Sequence, residues 1–174
     1  VVVSSGDDAT DFGAPQRVYW TLKVLGLKEL SVLNGGVQAW AAAGLPLDTA
    51  CPRWCAQHLR AGAGQFADRH ARRTAGAACR HPRPLLDARP RPSSTGETRH
   101  QASLVPGTLK GAVNLEYTRW FAPDSSVMLG RRGEAPRRRF RRNAGGRDTV
   151  SFCNTGHWAA TNWFALSEVA GTRA

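Results

Sequence analysis

Short apolar runs alternate with longer stretches of helical spacing along the chain, the pattern of strands feeding helices. Val1-Val2-Val3 predicts a strand, and the polar run from Ser4 to Asp11 a loop. A helix follows. Pro15 suits its first turn, Val18, Leu22 and Leu25 share one face, and Gly26 stops it. Leu30 to Leu33 is short and apolar and runs into Asn34-Gly35-Gly36, which predicts a buried strand ending in a tight turn. Val37 to Ala43 makes the next helix, closed by Gly44.

Residues 48 to 83 lose this rhythm and read as a linker or poorly ordered segment rich in Ala, Gly, Arg and Pro. The alternation returns with strands at Leu85-Leu86-Asp87, Ala112 to Leu115 and Thr149 to Phe152. A last helix starts near His157, with Ala160, Phe164 and Ser167 on one face, Trp163 and Leu166 beside them, and Gly171 at its end. Strands alternating with helices predict an α/β fold, a parallel sheet with helices on both faces and functional loops at the carboxyl ends of the strands. Cys153 stands at such an end.

Composition changes this picture in a few places. The chain of 174 residues has room for one complete domain or parts of two, and its apolar share argues against global disorder. No apolar run approaches the roughly 20 residues of a membrane span, and no secretory signal opens the chain, so no membrane partner is expected. Val1 to Val3 look like the inside of a strand, which predicts a missing upstream segment able to carry a signal. The four cysteines are scattered, as in a protein of a reducing compartment, so the cytoplasm is the expected location.

Net charge is +11, and residues 131 to 147 supply much of it, with eight Arg against one Glu. Such a run could meet the phosphates of a nucleic acid. Phe140 is its lone aromatic residue, however, and single-strand binders stack bases on several rings. A solvated connection is the expectation, without a nucleic-acid partner. Cys51, Cys55, His58, Cys79 and His81 are good zinc ligands, but their spacing is irregular and predicts no metal site.

The distinctive chemistry lies at Cys153. A cysteine between a buried strand and a helix N-terminus meets backbone N–H groups that the helix leaves unpaired, and those donors favour an anion. Gly156 lets the loop curl. Such a thiolate could accept a sulfur atom and pass it on in two covalent steps without metal or organic cofactor. A plain buried thiol would occupy the same position. A phosphatase loop needs an Arg six or seven residues after its cysteine, where Ala159 and Ala160 stand, and a thioredoxin-like site needs a second cysteine where Gly156 stands.

Phe152-Cys153-Asn154-Thr155-Gly156-His157-Trp158-Ala159-Ala160-Thr161-Asn162-Trp163-Phe164 resembles the active-site loop and following helix of bacterial rhodanese-family sulfurtransferases, tandem-domain enzymes that carry sulfur as a cysteine persulfide. Leu85-Leu86-Asp87-Ala88-Arg89 resembles the opening strand of the catalytic domain. Gly107 to Asn114 resembles the next strand, with Thr108 where many members have His. Val32-Leu33-Asn34-Gly35-Gly36-Val37-Gln38-Ala39-Trp40 resembles the closing strand, turn and helix of a domain, with Asn34 where Asp is usual.

The resemblance implies that residues 1–50 are the C-terminal part of a non-catalytic domain, whose Ser4 to Asp11 loop holds no cysteine. Residues 51–83 would be a linker, and 84–174 a catalytic domain lacking its closing strand and helix. The segments 51–83 and 130–146 do not resemble the family and could reflect a shifted reading frame. The gap at the end of the second domain raises an alternative, that Leu30 to Leu33 completes its sheet as in a circular permutation.

By resemblance, Cys153 is the nucleophile, thiosulfate the small-molecule sulfur donor and a thiophile such as cyanide the acceptor. The loop from Asn154 through Thr155, Gly156, His157 and Trp158 to Ala159 supplies donors and pocket walls. Asn154 and Thr155 stand where side chains select the donor, and neither is cationic, which keeps 3-mercaptopyruvate as an alternative donor. His157 could assist proton transfer or simply face solvent, Trp158 could wall the pocket or pack in the core, and Arg89 could offer charge to the donor or pair with Asp87. An inert relic or a basic nucleic-acid binder is the reading outside the enzymes.

Overall fold

In a computed structural model of the chain, the structure describes residues 1–50, 83–101, 103–128 and 149–171. The arginine-rich run, residues 51–82 of the linker and the cysteines and histidines considered for zinc lie outside the described residues.

Among the described residues, three strands form a parallel sheet. The central strand β1 is Leu85–Asp87, flanked by β2, Val113–Asn114, and β3, Val150–Phe152. Leu86 pairs with Val113 on one side and Ser151 on the other, and Asp87 with Asn114 and Phe152. Leu86 is 2% exposed, as a strand covered on both edges and packed on its faces must be.

Helix α1, Gly13–Val24, packs against helix α4, His157–Phe164, and α2, Gly36–Ala42, follows the double-glycine turn. A short helix α3, Arg91–Thr95, and a 3-10 turn, Tyr117–Trp120, were not foreseen, because elements this short show no periodicity. Among the described residues an apolar cluster joins the two halves: Phe12 lies among Leu86, Tyr117, Trp120, Phe121, Met128 and Leu166.

Three expectations are corrected. The face of α1 turned inward carries Pro15, Gln16 and Tyr19, while Val18 is 46% exposed and Leu25 38%. Both faces of α1 carry apolar residues, and ring contacts decide between them: Tyr19 meets Phe164 edge-on at 5.1 Å and Trp163 at 6.4 Å. Secondly, α4 passes into a π-helical turn, Ala165–Val169, which shifts its register and buries Ala165 and Leu166 while Phe164 and Ser167 stay half-buried.

Thirdly, Leu30 to Leu33 is not a buried strand. It makes one parallel bridge, Val2 to Val32, held by the Val2 N–H on the Ser31 carbonyl at 2.7 Å and the Leu33 N–H on the Val2 carbonyl at 3.0 Å. Among the described residues it pairs with no strand of the three-stranded sheet, which overturns the circular-permutation alternative.

The double-glycine turn presses on the first loop backbone to backbone. A Cβ at Gly36 would lie 2.6 Å from the Ser4 carbonyl oxygen, and one at Gly6 2.1 Å from that of Gly35. Asn34 then ties the turn to the second half, donating from Nδ2 to the Met128 carbonyl at 3.0 Å and accepting the Met128 N–H on Oδ1 at 2.8 Å. An aspartate could accept there but not donate.

A second tie is ionic. Lys23 Nζ lies 2.5 Å from Glu168 Oε2, which also accepts from the Tyr19 hydroxyl at 2.8 Å. Burial pushes the Glu168 carboxyl up, but Lys23 and Tyr19 outweigh it and hold it below the usual carboxylate range. Burial likewise pushes Lys23 down, and Glu168 reverses the sign and holds it above its ordinary value.

Candidate active site

β3 ends at Phe152 and α4 begins at His157, so Cys153 to Gly156 form the whole connection. Gly156, with φ of 95°, caps the helix in the left-handed region that side chains disfavour. That curl aims its N–H at the Cys153 sulfur, at 3.0 Å. The first N–H groups of α4 have no intrahelical partner and face the same loop. Cys153 itself is half-buried.

Arg89, at the end of the neighbouring strand, frames the loop. It is 8% exposed and grips the fully buried Asp87 at two points, Nε to Oδ1 at 2.9 Å and Nη2 to Oδ2 at 2.7 Å. Thr108, standing where the resemblance expects His, donates to the same carboxylate at 2.7 Å. Burial pushes the Asp87 carboxyl up, but the hydrogen bonds from Arg89 and Thr108 hold it below the usual range. The Asp87 hydrogen bonds in turn hold the Arg89 guanidinium above its ordinary value.

The remaining donors of Arg89 reach the Gly107 carbonyl at 2.8 Å and Oδ1 of Asn154 at 3.4 Å, where Ser103 also donates at 3.3 Å. Asn154 is thus a pinned residue of the loop. Thr155 and His157 are exposed, and the His157 carbonyl accepts from the Thr161 hydroxyl at 3.2 Å. Trp158 stacks on Tyr117 with centroids 4.9 Å apart and planes 7° from parallel, which places it in the packing beneath the loop. Ala159 is half-buried in the first turn of α4.

The loop of the first half follows another rule. Asp11 Oδ2 accepts the N–H of Gly6 at 2.7 Å and of Asp7 at 3.3 Å, and Asp8 Oδ1 accepts from Thr10 at 2.6 Å and Asp11 at 2.7 Å. Its own carboxylates occupy those donors. A cleft of 590 Å³ lies between this loop and residues 117 to 125, lined by Asp7, Asp8, Thr10, Tyr117 and Asp124 among others. Its lining includes no residue from Cys153 to Ala159. Three carboxylates make it inhospitable to an anion.

Sequence reasoning missed Arg17. It lies on α1, far from the loop in sequence, yet a Cβ on Gly156 would sit 2.0 Å from its Nη1. The one available signal was the parallel between the two halves, in which α1 follows the first loop as α4 follows Cys153.

No family model matches the chain. Over 47 residues it is 49% identical to the thiosulfate sulfurtransferase of Bos taurus, a stretch that covers 27% of this chain and 16% of that protein. Among solved structures, the 3-mercaptopyruvate sulfurtransferase from Leishmania major is similar at 25% identity and a TM-score of 0.66, covering 95% of this chain and 46% of the other. SseA from Escherichia coli, described as a 3-mercaptopyruvate sulfotransferase of "rhodanese" fold, shares the architecture at 19% identity and a TM-score of 0.66, covering 91% and 59%. The chain therefore spans less than two thirds of the length of each of these proteins.

Proposed function

Taking as premise that the chain belongs to the rhodanese family, we propose that it transfers sulfane sulfur from thiosulfate to a thiophilic acceptor through a persulfide on Cys153. The observation that carries this reading is the Gly156 N–H aimed at the Cys153 sulfur at 3.0 Å, in a loop between a strand end and a helix start.

In the first step the Cys153 thiolate attacks the outer sulfur of thiosulfate. A new S–S bond forms as the donor's S–S bond breaks, and the electron pair leaves with sulfite. In the second step a thiophile such as cyanide attacks the outer sulfur of the persulfide, giving thiocyanate and restoring the thiolate. Neither step consumes an external oxidant or reductant. The backbone donors from Gly156 into α4 meet negative charge on sulfur throughout, and the Arg89, Asn154 and Ser103 contacts keep the loop in shape for them.

We assign residues 84–174 to the catalytic domain and residues 1–50 to a non-catalytic one. The first loop supports that division, because it has no cysteine and Asp11 already fills its donors. A second reading, with 3-mercaptopyruvate as donor, draws on the uncharged Asn154 and Thr155 and on the similarity to enzymes of that name. Thiocyanate formation from thiosulfate and cyanide, set against mercaptopyruvate in parallel, decides between the donors. Loss of activity in Cys153→Ser is expected with either, and activity that survives the substitution would overturn the assignment of the nucleophile.

A further inference from the structure

Donor molecules of both kinds carry anionic oxygens beside the sulfur to be moved, yet the loop itself supplies no cation to meet them. Asn154 and Thr155 are neutral, and Arg89 is committed to Asp87, Gly107 and Asn154. A cation arrives from the other half. Helix α1 approaches α4 closely at Gly13, where a Cβ would lie 3.2 Å from the Thr161 hydroxyl. Arg17 stands one turn further along the same face.

The Arg17 side chain reaches back over the start of α4, toward its own helix N-terminus as helical side chains tilt. A Cβ on Gly156 would be 2.0 Å from Nη1 and 3.1 Å from Cζ. The guanidinium rests 5.4 Å from the centroid of the Trp20 ring, an arrangement that orients it without neutralising it. Among the described residues no carboxylate or other hydrogen-bond acceptor engages it.

We propose that Arg17 is a specificity-determining residue that holds the anionic oxygens of the sulfur donor beside the Cys153 loop. This rests on the reading of Cys153 as the sulfur-carrying nucleophile. The shared chemistry is a fork of N–H donors meeting a sulfonate or a carboxylate. It gives the first half a part in a reaction whose covalent steps occur on the second.

Alkylation of Cys153 by iodoacetate, an anion, and by iodoacetamide, its neutral counterpart, tests this without requiring turnover. The two rates are read at Cys153 by peptide mass spectrometry in the whole chain, in Arg17→Gln and in Arg17→Lys. The iodoacetate to iodoacetamide ratio is expected to fall about fivefold in Arg17→Gln, the effect of one unit charge at ~4 Å in water. It should stay within about twofold of the parent in Arg17→Lys, which keeps the charge, and fall with added salt in the unmodified chain. The KM for thiosulfate and for mercaptopyruvate should rise in Arg17→Gln with kcat retained, and the larger rise identifies the donor whose anion Arg17 holds.

A ratio in Arg17→Gln equal to that of the parent, with Cys153 still alkylated, would overturn the proposal. So would a ratio insensitive to salt in the unmodified chain. Cys153 inert to both reagents in the folded protein would instead remove the nucleophile and Arg17's role with it. A charge-dependent ratio without any sulfur transfer would leave Arg17 as an anion guide and overturn the proposed reaction.

Discussion

Arg89 reaches Asn154, the residue after the nucleophile, across the sheet, with Nη1 3.4 Å from Oδ1. The contact is possible because Asp87 already holds the other edge of the guanidinium at 2.7 and 2.9 Å. The ion pair thus fixes a loop that neither of its members belongs to.

Replacing Asp87 by Asn should accordingly cost more than one lost contact. Arg89 would keep its charge at 8% exposure with no carboxylate facing it. Removing one partner of a buried pair costs about 3–5 kcal/mol. Urea unfolding of Asp87→Asn should show a loss of this size, with Cys153-dependent sulfur transfer falling in the fraction that stays folded. A variant as stable and active as the parent would show that the pair does not hold the loop.

The same groups set a pH dependence. Asp87 and Glu168 are both held below the usual carboxylate range when folded. Their stabilisation is therefore present above the unfolded values, about 4, and is lost as pH falls through the folded ones. Lys23 is held above its ordinary value, so its contribution is complete below that value and disappears as pH rises through the folded one. Thermal unfolding across pH should show a plateau around neutrality with falls on both sides. In Glu168→Gln the alkaline fall should weaken along with part of the acid one; a profile identical to the parent's would refute the linkage.

Much of this was legible in the sequence. The apolar run at Leu85-Leu86 predicts β1, the strand before Cys153 predicts the end of β3, and Gly26, Gly44 and Gly171 mark where helices stop, because these signals are local. The inward face of α1 was not legible, since Val18 and Tyr19 are both apolar and only the rings of Trp163 and Phe164 choose between their faces. Arg17 was hidden for a similar reason: its place at Gly156 follows from how α1 and α4 pack, and spacing along the chain carries no trace of it. Trp158 could be read either way until Tyr117 appeared beneath it.

Gly156→Ala tests the curl of the loop. A side chain at φ of 95° is strained by about 1–3 kcal/mol, and its Cβ would also displace the Arg17 guanidinium. The variant should fold with reduced stability, lose most sulfur transfer and lose part of its preference for anionic alkylating agents. Full activity in Gly156→Ala would mean that the Gly156 N–H is not needed at the Cys153 sulfur.

The most direct test of the central claim is the mass of the peptide containing Cys153 after the folded protein has met thiosulfate without an acceptor. The account predicts a gain of one sulfur atom on Cys153, removed by cyanide with release of thiocyanate and absent in Cys153→Ser. A folded protein whose Cys153 peptide stays unchanged, or a Cys153→Ser variant that still acquires transferable sulfur, would contradict it.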